Sequence, residues 1–548
     1  MHKTFDKALA ICLGCIGAYF IFTTIRGIHH LYSPLPFSDQ WGGYVGFMHK
    51  LADGHYRAWW DQHMEHRIVL VRALQWIDAK VFGGRNVFLL TFGALLQFAT
   101  VVLFVWQAKR HRSPVHPLAV AGIALVFLFS WIQQENFAWG FQSQFFAIYL
   151  FALLAFAFHP PEFSWLLSIA CGIAATLSMG NGVFVFLVLA IQSFLLRQGL
   201  RQIVLPIAVG AVVAAIYFYG FHKPEVVFPE VAPGEALKRI PEFVMLFMGN
   251  ALAARGLPIV AGMVVGLCSI VLVTVITWRL YVKEGITRYR AFLIGGYIMI
   301  LGSACGAAAG RYKLGVGQAI VSRYDTPAFI AWTCVALLLL DIAQHAPTRR
   351  VLQTVYIAIA LWLLPFQFNT KADTQMQFDR DLDTLSLKIG VDDPEYSGLI
   401  YPIAARPALR ADVKWAVNTE FGPFASGWLH DVGLVRFSPD QVDNDVCTGY
   451  LDEIKTNASN VSATGWVVTK RERDEPVLIL MVDAAGNTVG YGVSGSIRYD
   501  VRNAMHANLH SGWAGLAPAG VHPVKAYAYE LHKFCELTNG PAVRAMLQ

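Results

Sequence analysis

The sequence predicts an α-helical polytopic membrane protein with about eleven transmembrane helices, followed by a C-terminal extracytoplasmic β-sandwich. Three observations predict it. Of 548 residues, 55% are hydrophobic and 15% charged, with a mean hydropathy of +0.46, whereas soluble proteins carry about 25% charged residues. The charge is split: residues 1–367 hold 27 Lys+Arg against 15 Asp+Glu, a +12 balance, and residues 368–548 hold 16 against 22, a −6 balance. Beyond residue 447 the long apolar runs give way to short alternating segments, the period of strands. Disorder, collagen-like repeats and a small disulfide scaffold are excluded by the same composition. A basic membrane part reflects topology, so no nucleic-acid partner follows from the net charge.

Three regions are expected: a membrane domain at 1–367 with an external loop at 28–86, a connector at 368–446, and the β-sandwich at 447–548. The apolar run 8–25, flanked by Lys3 and Lys7, reads as an uncleaved first helix, because no small-residue cleavage site follows it. Further spans are expected near 87–107, 117–133, 145–158, 164–178, 182–196, 202–220, 257–279, 291–309, 326–342 and 351–367. The stretch 240–254 reads as interfacial, since Pro241, Asn250 and Arg255 crowd it.

With the N-terminus inside, the short cytoplasmic loops are basic: Lys109-Arg110-His111-Arg112, Arg197–Arg201, Arg279–Arg290 and Arg349-Arg350. Only His159-Pro160-Pro161-Glu162 is not. This threading puts the long loops and the acidic tail outside. No GxxxxGK[ST] or strand-linked GxGxxG is present, so an outward-facing enzyme must take an activated substrate from the membrane itself.

Residues capable of chemistry gather in the external segments. Phe37-Ser38-Asp39-Gln40-Trp41 follows the first span, and Trp59–Arg67 reads as an amphipathic helix with Asp61, Glu65 and Ile68 on one side. Charges merely facing water at the headgroup layer would explain the Glu65-His66-Arg67 cluster equally well. His63, Glu65 and His66 do not form HExxH, so no metal site is expected, and a divalent cation at Asp39 has no ligand motif behind it. The second loop, Gln133–Gln144, sets Glu135, Trp139 and Gln142 side by side. That suits a sugar ring, and an aromatic belt with helix caps is the alternative. Around 310–325, Arg311, Lys313 and Arg323 with Tyr312 and Tyr324 run against the positive-inside trend. Arg and Lys there are natural phosphate partners, headgroup anchoring being the alternative.

In the tail, strands are expected at Ser462–Val468, Val477–Val482, Thr488–Val493, Trp513–Leu516 and Pro523–Tyr529, with a hairpin turn at Asp483–Asn487. Six cysteines lie in or beside apolar runs. Cys447 and Cys535 bracket the β region and are expected to form a disulfide outside the cytoplasm.

These residues resemble a family. Asp39 within SDQW, Glu65-His66-Arg67 within MEHRI, ENFAWGFQSQF at 135–145 and GRYKLGVGQAIVSRY at 310–324 are similar to GT-C glycosyltransferases, bacterial members of unassigned specificity. The resemblance covers most of 1–367. It implies a multi-pass protein of the bacterial inner membrane, with a polyprenyl-phosphate sugar as donor and an envelope glycan, glycolipid or protein as acceptor, and transfer with inversion. It implies Asp39 as general base, with Glu65 and His66 in supporting roles, and Arg67, Arg311, Lys313 and Arg323 on the donor phosphate. Trp41, Glu135, Trp139, Gln142 and Tyr324 would then bind sugar or acceptor. A lone Asp39 stands where some relatives pair acidic residues, and no cofactor is expected. A flippase or transporter for a lipid-linked glycan is the rival class, and a glycan polymerase or ligase the rival enzyme. Span interiors free of Asp, Glu, Lys and Arg favour surface chemistry over transport.

Overall fold

The computed structural model describes residues 2–161, 163–223, 230–253, 256–368, 370, 374–393, 406–470 and 476–548, with the backbone alone at 2, 3, 233, 252 and 253. Glu162 and Arg255, which entered the topology argument, lie outside the described residues. The chain divides into two compact units. One comprises 1–32, 59–74 and 88–371, the other 33–58, 75–87 and 372–548.

The first unit is helical. Among the described residues nine helices are long and apolar enough to cross a membrane: Thr4–His30, Val87–Arg110, Pro117–Ala138, Gly140–Ala157, Leu200–Phe218, Ile259–Glu284, Arg288–Leu314, Ser322–Ile342 and Ala346–Phe368. The expected count of eleven is therefore corrected to nine. The two that drop out, at 164–178 and 182–196, are helical, but Met179 turns extended between them and leaves pieces of 14 and 12 residues. At 1.5 Å per residue these reach only about 20 Å, short of a hydrocarbon core of about 30 Å.

Burial sorts the helices. Gly140–Ala157 is 89% buried over its apolar window, whereas Ile259–Glu284 is 22% buried and exposes Val260, Val264, Val271 and Val275. An apolar face left open along a whole helix is what lipid contact requires. Glycines allow the closest helix crossings. A Cβ at Gly266 would stand 1.7 Å from the Met245 carbonyl oxygen, and one at Gly122 2.4 Å from that of Leu13. The stretch expected to be interfacial belongs to the helix Pro233–Met248. Its first turns carry Glu235, Lys238, Arg239 and Glu242, and its last bury Phe243, Leu246, Phe247 and Met248.

The amphipathic helix expected across 59–67 is absent. His63 and His66 instead exchange backbone hydrogen bonds of 2.7 and 2.9 Å in a tight turn with Met64 at φ +47°. The carbonyls of Trp59 and Asp61 accept from Arg72, at 3.2 and 2.5 Å, and that of Trp60 from Arg67. Guanidinium groups thus take acceptors that a helix would use for its own ladder.

The second unit ends in a closed barrel, not the expected sandwich. Its strands are β1 (Cys447–Thr456), β2 (Asn460–Thr469), β3 (Leu478–Asp483), β4 (Thr488–Ser496), β5 (Gly512–Pro518), β6 (Pro523–Glu530) and β7 (Lys533–Asn539). They run in the order β1-β2-β5-β4-β3-β6-β7, closed by a parallel pairing of β7 on β1 at Tyr450/Thr538 and Leu451/Asn539. That pairing removes the free edges a sandwich would keep. Cys447 on β1 and Cys535 on β7 are joined as a disulfide across 88 residues. Leu451, Val461, Ile479, Met481 and Trp513 fill the interior. Outside, Leu478, Leu480, Val482 and Leu516 are covered by Phe378, Leu382 and Leu385 of the helix Thr374–Ile389. β3 is therefore buried on both faces, which explains its unbroken LILMV run.

The segment 33–58 joins this unit through its own small core. Leu35, Trp41 and Val45 pack on Leu409, Val413 and Phe424. Arg406 is 1% exposed and bonds Asp383, Asp392 (2.6 Å) and Ser386 (2.8 Å), a buried charge with its donors satisfied.

Candidate functional site

Within the helical unit the structure gathers five of the residues expected from sequence: Glu135, His66, Arg311, Arg323 and Tyr324. The gathering centre is Tyr324, 6% exposed, at the start of the helix Asp325–Ile342. Arg311 and Arg323 lie over its ring at 5.9 and 5.8 Å, and Phe247 and Phe243 pack on it at 5.0 and 6.3 Å. Two guanidinium groups thus converge on one aromatic ring, a placement that cation–π attraction favours.

Glu135 supplies the counter-charge. Its carboxylate accepts from the Arg323 side chain at 3.3 Å and from the Arg323 backbone N–H at 3.2 Å. Both side chains are about a quarter exposed. Beneath them a polar strap ties the two loops. Asn136 donates to the Arg323 carbonyl (2.9 Å) and to Thr326 (2.7 Å), Thr326 donates to Gln133 (2.6 Å), and Ser322 donates to the Ile132 carbonyl (2.7 Å). Arg311 and Lys313 have no carboxylate partner among the described residues. The loop therefore keeps more positive charge than it neutralises.

His66 stands on the Arg311 side of this cluster. Burial lowers its pKa to about 4, partly opposed by Glu65 and reinforced by Arg311. The imidazole is neutral at pH 7 and faces the Gly180 N–H with Nδ1 at 3.4 Å. A neutral ring can accept or pass a proton without adding to the cation count.

Arg67 is held differently from the other cations. It is 7% exposed, with Nε bonded to the Tyr217 carbonyl (2.8 Å), one terminal nitrogen to that of Trp60 (2.5 Å) and the other to that of Tyr219 (2.7 Å). Trp139 and Gln142 are enclosed, 6% and 2% exposed. The Trp139 ring stacks on Phe141, and Gln142 accepts from Gln144.

In the second unit, Asp39 follows Ser38, at φ +47°, and precedes a short helical turn, Trp41–Val45. Its carboxylate is half-buried and has no hydrogen-bond partner among the described residues, so its lone pairs are open to a hydroxyl. Trp41, in contrast, is wholly buried in the core with Leu35 and Leu409.

Sequence reasoning missed Asp325. It is fully buried, neither oxygen has a hydrogen-bond partner, and it lies within the electrostatic reach of Glu135. Its place directly after Arg323-Tyr324 was the only available signal. Among the described residues no group of three His, Cys, Asp or Glu could hold a metal ion. No family model matches the chain, and comparison with curated proteins finds no match.

Proposed function

We propose that the protein is an inverting membrane glycosyltransferase of the GT-C type, which moves a sugar from a polyprenyl-phosphate donor to an envelope glycan, lipid or protein. The observation that carries this reading is the cation cluster: Arg311 and Arg323 flank Tyr324, Lys313 lies close in sequence, and Glu135 offsets only part of their charge. It stands at the ends of the apolar helices Pro117–Ala138, Arg288–Leu314 and Ser322–Ile342, the level at which a donor's phosphate would lie with its chain in the bilayer.

In the reaction the acceptor oxygen bonds the anomeric carbon as the bond from that carbon to the phosphate oxygen breaks. The leaving phosphate keeps the electron pair, and the guanidinium groups stabilise that charge as it develops. Asp39 takes the acceptor proton as general base. That assignment rests on the carboxylate's own open surroundings, and the phosphate assignment on those of the arginines. Arg67 is left out of the phosphate group because its donors are bound to carbonyl oxygens. The basic short loops support an N-terminus on the cytoplasmic side and an extracytoplasmic tail.

Asp325 favours a second reading, transport or flipping of a lipid-linked glycan, because a buried ionisable group at a span end marks substrate pathways in carriers. One experiment separates the two. The full chain in proteoliposomes is given radiolabelled polyprenyl-phosphate sugar and extracted envelope acceptor. Glycosylated acceptor is expected, and is expected to vanish with Asp39→Asn. Full transfer by Asp39→Asn overturns the base assignment, and movement of intact donor without any product establishes the carrier.

A further inference from the structure

The Asp39 carboxylate has no hydrogen-bond partner among the described residues, so its position rests on the backbone of the turn that carries it. That turn is tightly held. Ser38, the residue before it, has φ at +47°, a left-handed conformation that a residue with a Cβ keeps only where its surroundings impose it. The Asp39 carbonyl accepts from the Gly43 N–H at 2.8 Å, and the Ser38 carbonyl from that of Trp41 at 3.1 Å.

Gln40 closes the turn from the inside. It is 1% exposed, and its Oε1 accepts from the Phe37 N–H at 3.1 Å while its own N–H donates to the Phe37 carbonyl at 3.0 Å. Its Nε2 donates to Asn86 Oδ1 at 2.7 Å, across 46 residues. Asn86 is buried and anchored in turn, its N–H donating to Asp78 Oδ2 at 3.3 Å. The same oxygen accepts from the Tyr44 hydroxyl at 2.8 Å. Burial, with Asp78 beside it, raises the Tyr44 pKa well above that of a free phenol, so the hydroxyl stays a donor. Tyr44 lies in the helical turn Trp41–Val45, so the chain on both sides of Asp39 is tied to one support. All of these residues belong to the second unit. A buried polar network of this kind favours one geometry over its neighbours.

We propose that Gln40 and Asn86 are positioning residues for the general base, which fix the Phe37–Asp39 turn so that the Asp39 carboxylate meets the acceptor hydroxyl. The inference rests on the glycosyl-transfer reading and deepens it. A general base has to come within about 2.6–3.2 Å of the oxygen that it deprotonates. A misplacement of about 1 Å costs such a step about a hundredfold in rate. Neither Gln40 nor Asn86 bonds the Asp39 carboxylate itself. A donor bound there would favour the charged form and make it a weaker base. Holding the turn instead of the carboxylate places the base and leaves its lone pairs to the acceptor.

Transfer from radiolabelled polyprenyl-phosphate sugar to extracted envelope acceptor is measured with the full chain in proteoliposomes, per folded molecule, alongside the unfolding midpoint. Gln40→Leu and Asn86→Gly are expected to lower kcat about tenfold or more and to leave the donor KM within about twofold. Gln40→Glu keeps an acceptor for the Phe37 N–H and is expected to recover part of the rate. Ser38→Gly tests the turn without removing a hydrogen bond. Glycine takes this φ freely, so the unfolding midpoint should hold while the looser turn lowers kcat about threefold. This variant carries the test if Gln40→Leu fails to accumulate. A parent chain without transfer overturns the glycosyl-transfer reading, and this proposal with it. An active parent whose variants transfer at the parental rate, or lose rate only in step with their unfolding midpoints, overturns the positioning role alone.

Discussion

Arg67 and Arg311 lie in the same helical unit and looked alike in the sequence, each a cation in an external loop beside aromatic residues. Their surroundings differ in one physical respect. Arg67 spends its guanidinium on the carbonyls of Tyr217, Tyr219 and Trp60, with the Trp60 ring 5.4 Å away. Arg311 contacts a ring face and has no carboxylate partner among the described residues. The comparison teaches that an arginine's availability depends on whether backbone acceptors surround it, not on residue type or proximity to a membrane. A guanidinium among carbonyls is part of the fold, whereas one over a tyrosine with open donors can receive an anion.

The largest expected effect follows from that distinction. Arg67→Ala leaves the buried Tyr217 carbonyl and the part-buried carbonyls of Trp60 and Tyr219 without these donors, and empties the space beside Trp60. A loss of about 3 kcal/mol or more is expected, seen as a lower unfolding midpoint of the purified chain. Arg311→Ala removes no hydrogen bond from a buried partner and should change stability by less than about 1 kcal/mol. Its effect should appear in donor binding, weakened about tenfold or more when polyprenyl-phosphate sugar is titrated. If Arg311→Ala unfolds the protein as readily as Arg67→Ala, the two sites are both structural and the contrast fails.

This contrast shows where the sequence is informative. The spans are legible because length and composition alone decide whether a helix can cross a bilayer, and nine of the expected runs meet that test. The two that do not are cut short at Met179-Gly180, a break that hydropathy does not register. Five barrel strands were visible as alternating or continuous apolar runs. β1 and β7 were not, since Asp452, Glu453 and Lys455 on one and Lys533 and Glu536 on the other mask the pattern. Those two strands close the barrel, and their pairing joins residues more than eighty positions apart, which is why a sandwich was expected. The candidate site divides in the same way. The clustering of Arg311, Arg323 and Tyr324 follows from their closeness in sequence, and its link to Glu135 crosses 188 residues. Two of the three carbonyls that bind Arg67, those of Tyr217 and Tyr219, come from 150 and 152 residues away, and the core that encloses Trp41 comes from the tail. Neither has a local signature.

The smallest effect gives the sharpest test of what the Tyr324 cluster is for. Glu135 is the only carboxylate that pairs with the cluster's cations among the described residues, through a contact of 3.3 Å between side chains that are both partly exposed. Such a pair contributes about 1 kcal/mol or less, so Glu135→Gln should leave the unfolding midpoint nearly unchanged. The amide keeps an oxygen for the Arg323 backbone N–H and removes the negative charge. If the cluster binds phosphate, donor affinity should rise a few-fold at low ionic strength, and the gain should shrink as salt screens the exposed cations. A fall in affinity at every salt concentration would show that Glu135 orients Arg323 or holds the sugar itself, and the cluster would then work by geometry more than by net charge.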